Sequence, residues 1–379
     1  MHVIDQKNKC CSDHLPVVTT TQAAVLTDVS MPLSLLTLSL PSLKPEQVLV
    51  KVAYSGVCRT QLLEIQGKKG PDRFLPHTLG HEGSGVVLEI GSAVKKVKPG
   101  DHVVLSWIKG TGGEVGSTQY LSESGVVNSG ALSTFLTHTV TCENRVTPIP
   151  KAMPLREAAL LGCAVPTGAG IVFNTAQVKP GSTVAVFGLG GIGLSAVMAA
   201  GCMKVKTIIA VDIYDHKLEQ AGKMGATHTV NAHVQDGRKE IAEITSGRGV
   251  DYAIEAAGNR EAMESAFSVV RPNGGLCVLA GNVSHGETIS IDPFDLIRGK
   301  QLIGTWGGET IPERDIRLYI EKYLTGDLPL GQLITHERPL EEINQVIRAM
   351  ESGEVGRVLI KMDHAYSSIR TDQGNIEIL

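Results

Sequence analysis

The chain has 379 residues, 42% of them hydrophobic and 20% charged, and its 35 basic and 39 acidic side chains give a net charge of −4. A chain of this length predicts two domains with sizeable cores. The charge balance offers no basic surface for nucleic acid or an anionic membrane, so we expect neither as a partner.

The start of the chain and its cysteines predict a cytoplasmic protein. Residues up to Lys9 are polar and lack the apolar segment of a signal peptide, and no apolar run is long enough to span a membrane. Seven scattered cysteines, an odd number, are typical of free thiols in a reducing compartment. Cys10, Cys11 and His14 are a weak candidate metal site, because they fall in a polar tail that we expect to be loosely structured.

Short β-type runs alternate with turn signals between residues 22 and 150. Examples are the runs at 48–52, 85–90 and 102–105, the last of which follows the turn sequence KPGD at 98–101. This half of the chain predicts a mostly β domain.

Strands and helices alternate from about Thr167 onward. The predicted strands are residues 183–187, 207–211, 252–255, 276–280 and 302–304, with a helix at 262–270 as an example of the segments between them. Such alternation is typical of a doubly wound parallel sheet and predicts an α/β fold.

The last part of the chain is predicted to return to the first domain beyond about Trp306. We expect an amphipathic helix at 340–350 and a final strand at 358–360. The predicted division is therefore one domain made of 1–165 with 306–379, and a dinucleotide-binding domain made of 166–305.

A glycine-rich loop follows the strand at 183–187 and opens the next helix. It matches G-x-G-x-x-G, and Asp212 closes the following strand 19 residues after the last glycine, close to the usual interval. The predicted cofactor loop consists of Gly188, Gly190, Gly191, Ile192 and Gly193. Asp212 can accept hydrogen bonds from the ribose of NAD and would repel the 2′-phosphate of NADP, which favours NAD. The alternative is a glycine turn without a ligand, with Asp212 as a helix cap.

Two cysteines and a histidine are candidate zinc ligands. Two thiolates and one imidazole, from Cys58, His81 and Cys163, would leave one coordination position open, as catalytic zinc requires. The intervals between these residues are not those of a zinc finger, so spacing alone does not identify a site. Taken singly, each cysteine is more often a buried apolar side chain and the histidine a hydrogen-bonded loop residue.

The local sequences around these residues resemble those of the zinc-dependent medium-chain alcohol dehydrogenases, over residues 22–362. The matching motifs are GHEGSG at 80–85, Cys58-Arg59-Thr60 and Gly162-Cys163. The resemblance implies a Rossmann domain joined to a mostly β, GroES-like catalytic domain. It also implies one catalytic zinc held by Cys58, His81 and Cys163, with Glu82 behind the metal as an outer or transient ligand.

The same resemblance implies roles for further residues. Thr60 would hydrogen-bond the substrate oxygen and take its proton. Arg59 and Arg357 would pair with the cofactor pyrophosphate, Thr167 would pack against the nicotinamide, and Lys217 would contact the adenosine ribose. For the two arginines, a solvated surface position is the alternative. The family implies a homodimer or homotetramer joined through the nucleotide domains.

Three departures from the family pattern stand out. Residues 107–130 contain none of the four cysteines that hold a structural zinc in many members, so we expect a single zinc per chain. Leu63 stands where some members have a histidine that ends the proton relay. Gln61 replaces an acid, which leaves the outer partner of His81 open.

These observations predict a zinc-dependent oxidoreductase that transfers hydride between an alcohol and NAD and gives an aldehyde or ketone. The polar segment 107–130 and the scarcity of bulky aromatic residues favour a hydroxylated substrate such as a sugar, polyol or cyclitol. A primary alcohol or an S-hydroxymethyl thiol stays open. Two other classes also stay open, namely a zinc-free NADPH reductase and a non-enzymatic NAD-binding or structural protein of the same fold.

Overall fold

The computed structural model describes residues 17–363 together with 368–370 and 376–378. The candidate metal residues of the tail, Cys10, Cys11 and His14, lie outside the described part. Five free cysteines lie within it, at positions 58, 142, 163, 202 and 277. No single helix of the described residues is long and apolar enough to cross a membrane, and only the bent pair Leu155–Gly162 and Ala164–Thr175 reaches that length and composition together.

The second half of the chain forms the predicted parallel sheet, with six strands. In spatial order the strands are His228–Asn231, Thr207–Asp212, Thr183–Phe187, Tyr252–Glu255, Leu276–Leu279 and Gln301–Gly304. Helices of this half are Gly191–Cys202, Asp215–Lys223, Gly237–Ile244, Arg260–Val269 and Pro293–Ile297. All five predicted strands are confirmed within one or two residues.

Both faces of this sheet are covered by helices, which explains why its central strand is an unbroken apolar run. Val184 and Val186 belong to a core that includes the helix Gly191–Cys202. Ala185 and Phe187 belong to a second core on the opposite face. A strand buried on both sides does not alternate between polar and apolar residues.

The first half of the chain, together with two strands from near its end, forms an open sheet and a closed barrel. The open sheet runs in the order Val146–Ile149, His102–Ser106, Glu82–Ile90, Gln47–Gly56, Arg357–Lys361 and Ile334–Pro339, with His138–Cys142 also paired to Gln47–Gly56. The barrel consists of Thr20–Leu26, Ser34–Ser39, Gln119–Ser122, Gly125–Asn128 and His77–Thr78. The remaining strands, Val17–Val18, Ser368–Arg370 and Ile376–Ile378, form a small separate sheet.

Other helical segments connect these sheets. The α-helices are Arg59–Ile65, Leu155–Ala158, Ala164–Gly170, Pro312–Leu324 and Ile343–Glu351. The 3₁₀ turns are Glu143–Arg145, Ala159–Gly162, Gly307–Glu309, Leu330–Leu333 and Leu340–Glu342, and Ile171–Thr175 is a π-helical turn. The helix predicted at 340–350 thus begins with a 3₁₀ turn. Its assignment to an amphipathic helix is confirmed, because Ile343, Val346 and Ile347 form its buried face.

Two strands near the end of the described chain, Ile334–Pro339 and Arg357–Lys361, join the open sheet. Strand Arg357–Lys361 pairs with Gln47–Gly56 and so delivers Arg357 to the same region as Glu82. The predicted boundary at 165 falls inside the helix Ala164–Gly170. The division of the chain into 1–165 with 306–379, and 166–305, stays a prediction.

The segment that lacks the structural-zinc cysteines is held in place by two carboxylates. Glu143 accepts hydrogen bonds from the backbone N–H groups of Lys95, Lys96 and Gly113 at 2.6, 2.7 and 2.9 Å. Glu313 accepts from the Thr111 N–H at 2.8 Å and pairs with Lys96 Nζ at 2.6 Å. The loop that starts at residue 107 is therefore held by carboxylate oxygens, where thiolates would hold it in a member with a structural zinc.

Candidate metal and dinucleotide site

The three predicted zinc ligands and Glu82 meet at one point. One ligand atom from each of Cys58, His81, Glu82 and Cys163 lies within 4.8 Å of the others. No other group of three or more His, Cys, Asp or Glu side chains in the described part of the chain comes as close together.

Strand pairing and a close glycine contact bring these distant residues together. Ser55 pairs with Gly83 across two antiparallel strands, so Cys58, just beyond the first strand, lies beside His81, just before the second. Gly162 packs directly on the Cα of Glu82, where a Cβ would come within 2.8 Å. This approach carries Cys163, which follows it, up to His81, whose Nε2 lies 3.3 Å from the Cys163 sulfur.

The cluster is electrostatically suited to thiolates. A hydrogen bond from Cys163 lowers the pKa of Cys58 well below its usual range, against the effect of burial, and His81 adds to the lowering. Burial alone would lower the pKa of His81, but the hydrogen bond and charge of Cys58 outweigh it and raise that pKa. The pKa of Cys163 is raised by its hydrogen bond to Cys58. The hydrogen bond between the two thiols therefore favours ionisation of Cys58 over Cys163.

A buried ion pair lies behind the cluster. Glu82 is fully buried, Arg357 is 5% exposed, and their side chains form an ion pair. Burial raises the pKa of Glu82, and the guanidinium of Arg357 opposes that rise. Arg357 also donates to the Val57 carbonyl at 2.8 Å. Its guanidinium therefore has a partner that the sequence did not reveal.

The donor set fits zinc. Two thiols and one imidazole are the ligands that a three-ligand catalytic zinc site uses, and a nearby carboxylate such as Glu82 is compatible with it. Because one ligand atom of each of Cys58, His81 and Cys163 lies within 4.8 Å of the others, one ion can contact all three.

The glycine loop has the geometry expected for a dinucleotide. Gly188 has a φ of +85° and packs against the backbone of Ala257, and a Cβ at Gly193 would overlap the Gly188 carbonyl oxygen. At Gly190, by contrast, a Cβ would meet no atom within 4 Å. The loop is thus packed on its protein side and open at Gly190, where a pyrophosphate approaches in such folds.

The acid at the end of the second strand is held next to the loop. Asp212 accepts hydrogen bonds from the N–H groups of Leu189, at 2.7 Å, and of Ile213 and Tyr214, at 2.8 and 3.1 Å. These bonds fix the carboxylate at the edge of a cavity of about 610 Å³. Predicted cofactor residues that line this cavity are Arg59, Gly188, Gly190, Gly191, Ile192, Asp212, Lys217 and Arg357.

A matched pair of glycine substitutions tests the packing of the loop. Gly193→Ala must displace the Gly188 carbonyl, so we expect a loss of about 1–3 kcal/mol in the free energy of unfolding and weaker NAD binding. Gly201→Ala, near the other end of the same helix, meets no atom and should be neutral or slightly stabilising. Urea denaturation and NAD titration measure both effects. Equal behaviour of the two variants would contradict the packing described above.

A second cavity, of about 700 Å³, adjoins the metal cluster. Cys58, His81 and Cys163 line it, and so do the predicted residues Thr60 and Thr167. Both tryptophans of the chain are in its wall. The ring of Trp107 lies 6.5 Å from that of His81, and the ring of Trp306 meets Trp107 edge to face at 5.1 Å.

Two residues near the centre of the site were missed by the sequence analysis. Asn282, from the loop after the fifth strand of the parallel sheet, reaches across to Thr60, with Nδ2 3.4 Å from Oγ1. Trp306 is 77% exposed and follows the edge strand of the same sheet. Neither carries a motif, and only the packing of the two halves brings them to the cavity.

Family models and similar proteins agree with this geometry. A model described as an alcohol dehydrogenase GroES-like domain matches residues 44–151, and one described as a zinc-binding dehydrogenase matches residues 191–323. The S-(hydroxymethyl)glutathione dehydrogenase of Synechocystis is 35% identical over 366 residues, which cover 89% of this chain and 99% of that protein. The chain belongs to the zinc-dependent medium-chain alcohol dehydrogenases.

Further members of the family are similar over almost their whole length. The S-(hydroxymethyl)glutathione dehydrogenase of Saccharomyces cerevisiae is 33% identical, covering 90% of this chain and 96% of its own. A zinc-binding alcohol dehydrogenase structure from Burkholderia ambifaria has a TM-score of 0.85 at 32% identity, covering 92% of this chain and all of its own. Benzyl alcohol dehydrogenase from Acinetobacter calcoaceticus has a TM-score of 0.83 at 30% identity, covering 91% and 100%.

Membership in the medium-chain alcohol dehydrogenases decides between the classes left open. The protein is an NAD-dependent zinc alcohol dehydrogenase, and zinc and NAD are its cofactors. The two-domain α/β fold, a Rossmann-type sheet with a GroES-like domain, is confirmed. The complete set of Cys58, His81 and Cys163 is at odds with a zinc-free reductase.

Proposed function

We propose that this dehydrogenase oxidises alcohols whose carbinol carbon carries an aromatic or other flat apolar group. The observation that supports this proposal is the pair of tryptophans that begins next to the metal ligand His81 and extends along the cavity. Leu63, Leu132 and Ile192 add apolar surface to the same cavity. Aromatic groups pack well edge to face against such a wall.

The position of each side chain around the cavity supports the catalytic roles that we propose. A zinc ion held by Cys58, His81 and Cys163 would act as a Lewis acid on the substrate hydroxyl, and NAD would accept the hydride. The Thr60 hydroxyl, 3.8 Å from the Cys58 sulfur, would accept the proton of the substrate hydroxyl. Glu82 would stabilise the charge of the cluster from behind, through its pair with Arg357.

Asn282 would orient the proton acceptor. A hydroxyl has one hydrogen and two lone pairs. The amide of Asn282 donates to one lone pair of Thr60, which leaves the second lone pair for the substrate O–H and directs the Thr60 hydrogen elsewhere. Because Leu63 stands in place of a histidine, the proton would leave Thr60 through the cofactor ribose or a water.

The lining of the 610 Å³ cavity supports most of the proposed cofactor contacts. Arg59, the exposed first residue of its helix, would pair with the pyrophosphate. Lys217, whose Nζ lies 4.6 Å from the centre of the Tyr214 ring, would contact the adenosine ribose. Thr167 would pack against the nicotinamide from the neighbouring cavity. Arg357 lines the cofactor cavity too, so its pyrophosphate contact would be shared with its pairing to Glu82.

Replacing the Thr60 hydroxyl tests its assignment. Thr60→Val keeps the shape of the side chain and removes the proton acceptor, so we expect kcat to fall by about 10²–10⁴-fold, the range that general acid–base groups contribute. Thr60→Ser should retain most activity. Zinc content and NAD affinity should be unchanged in both variants. A Thr60→Val enzyme with the kcat of the unaltered protein would exclude Thr60 as the acceptor.

An S-hydroxymethyl thiol is the second candidate substrate, because the relatives from Synechocystis and yeast are named for S-(hydroxymethyl)glutathione. Lys69 lines the same cavity and could meet a carboxylate, although it already pairs with Glu64 at 3.4 Å. The predicted sugar, polyol or cyclitol substrate has no relative among those described above.

A panel of alcohols scored by kcat/KM decides among these substrates. It should contain benzyl alcohol, a straight-chain primary alcohol, S-hydroxymethylglutathione, sorbitol and myo-inositol. The proposal expects benzyl alcohol to have the highest kcat/KM, and Trp107→Ala to lower that value more than the value for the straight-chain alcohol. A preference for sorbitol or inositol would contradict it, and a preference for the glutathione adduct would establish the second candidate.

The exposed edge of the parallel sheet is a candidate surface for oligomer formation. Among the strands of the described residues, the edge strand Gln301–Gly304 has a neighbour on one side only, and Phe294, Ile297 and Ile303 expose apolar surface beside it. An exposed edge of this kind pairs readily with a second copy. We infer a homodimer or homotetramer joined through this edge, in the cytoplasm.

A further inference from the structure

Gln61 is a polar side chain that contacts two of the predicted metal ligands and has no role in the mechanism above. It is 1% exposed and lies in the first turn of the helix Arg59–Ile65. Its Oε1 accepts a hydrogen bond from the Cys58 backbone N–H at 2.9 Å, and its Nε2 contacts Nδ1 of His81. One amide therefore touches the backbone of one zinc ligand and the ring of another.

Two N–H donors face the Gln61 amide when a metal is bound, but the amide has only one acceptor atom. Nε2 of His81 faces the Cys163 sulfur, so this nitrogen is directed at the metal and Nδ1 carries the ring hydrogen when a metal is bound. The Cys58 N–H is a second donor directed at the same amide. A glutamine has one acceptor atom and one NH₂ group that only donates. Whichever way the amide is turned, one of the two donors faces an NH₂ group.

A carboxylate at this position would provide an oxygen for each donor. It would also make the His81 ring a more basic ligand, as carboxylate partners do for metal-bound histidines. The neutral amide gives up that advantage. It also avoids a further buried charge beside Glu82 and the two thiolates, which are balanced by Arg357 and one divalent ion.

We propose that Gln61 is the positioning residue of this zinc site, and that its neutral amide makes the site release zinc faster than the same site with a carboxylate at position 61. This inference rests on the assignment of zinc to Cys58, His81 and Cys163. Gln61 acts through His81 and the Cys58 backbone, from the wall of the 700 Å³ cavity.

The test compares the rates at which zinc-loaded protein loses its metal to an excess of a chromogenic chelator. Gln61→Glu has the same length and two acceptors, so we expect zinc loss to slow by about tenfold or more. Gln61→Leu has none, so loss should accelerate by about 10–100-fold, the usual effect of removing an outer partner. Gln119→Glu, the same change at an exposed strand position, should lose zinc at the rate of the unaltered protein.

A spectroscopic measurement separates this role from a general effect on stability. In cobalt-substituted protein the visible bands report the geometry of the metal ligands, so they should shift in Gln61→Glu and not in Gln119→Glu. Zinc loss from Gln61→Glu at the unaltered rate or faster would overturn the proposal, even if Gln61→Leu does not fold. An unaltered protein without zinc would instead overturn the metal assignment itself, so the two failures are distinguishable.

Discussion

Cys58→Ser should abolish most turnover while leaving the cofactor domain intact. The serine hydroxyl is not ionised at neutral pH and is a poor zinc ligand, so the variant should lose the metal. A Lewis acid contributes several kcal/mol to such reactions, and each 1.36 kcal/mol is a factor of ten in rate. We therefore expect kcat/KM to fall by about 10³-fold or more, measured with the best alcohol and saturating NAD.

Cys202→Ser is the matched control for this substitution. Cys202 is half-buried at the end of the helix Gly191–Cys202 and its sulfur lies 3.1 Å from Lys322 Nζ, away from the metal cluster. Zinc content and kcat/KM should be unchanged. NAD affinity, measured by titration, should be largely retained in both variants, because the glycine loop and Asp212 lie on the parallel sheet and are not changed. Full turnover by a zinc-free Cys58→Ser protein would refute the metal mechanism.

Asp212→Ser should change the choice of cofactor. The carboxylate lies at the edge of the dinucleotide cavity, where a 2′-phosphate would meet a negative charge. Like charges brought together cost several kcal/mol, so removing the charge should shift the ratio of kcat/KM for NAD to that for NADP by about 10²–10³-fold toward NADP. Activity with NAD should itself fall, because the Leu189 N–H loses its partner at 2.7 Å.

Asp215→Ser provides the comparison for this prediction. Asp215 is exposed, three residues further along the chain, and hydrogen-bonds Asn231 at 2.6 Å. It is not part of the cavity lining, so its removal changes the local charge equally without altering the ribose site. The cofactor ratio should stay within about threefold of the unaltered value. A similar shift in both variants would mean that the net charge of the region, and not Asp212, selects NAD.

The parallel sheet was the part of the fold most accessible from sequence. Its strands are buried on both faces, so they stand out as apolar runs between glycine turns, and Thr183–Phe187 and Tyr252–Glu255 were predicted with their observed ends. The dinucleotide loop was equally accessible, because its strand, glycines and acid lie close together in the chain. Local signals suffice where the contacts are local.

The metal cluster and the substrate cavity were less accessible, because distant segments build them. Cys58 and Cys163 meet through antiparallel strand pairing and the packing of Gly162 on Glu82, which no interval in the sequence encodes. Only the resemblance of their local sequences to a known family predicted that these two cysteines belong to one metal site. The closed barrel went unpredicted for the same reason, since it closes through pairings between distant strands, such as Leu26 with His77 and Ser39 with Leu121.

Composition did not reveal which residues line the substrate cavity. Few aromatic residues in the whole chain favoured a hydroxylated substrate, yet the two tryptophans, Trp107 and Trp306, both lie in the cavity wall. The number of aromatic residues in the chain does not show where in the structure they lie. The contact of Asn282 with Thr60 was likewise invisible, because it joins a loop of the parallel sheet to a helix of the other half.

An anomalous difference map, recorded at the zinc absorption edge from crystals of the full chain with NAD, tests the central claim most directly. We expect one strong peak per chain, bonded to the sulfurs of Cys58 and Cys163 at about 2.3 Å and to Nε2 of His81 at about 2.0–2.1 Å. The peak should face the nicotinamide across the substrate cavity. A map with no peak between these three side chains, from crystals of active enzyme, would contradict the account.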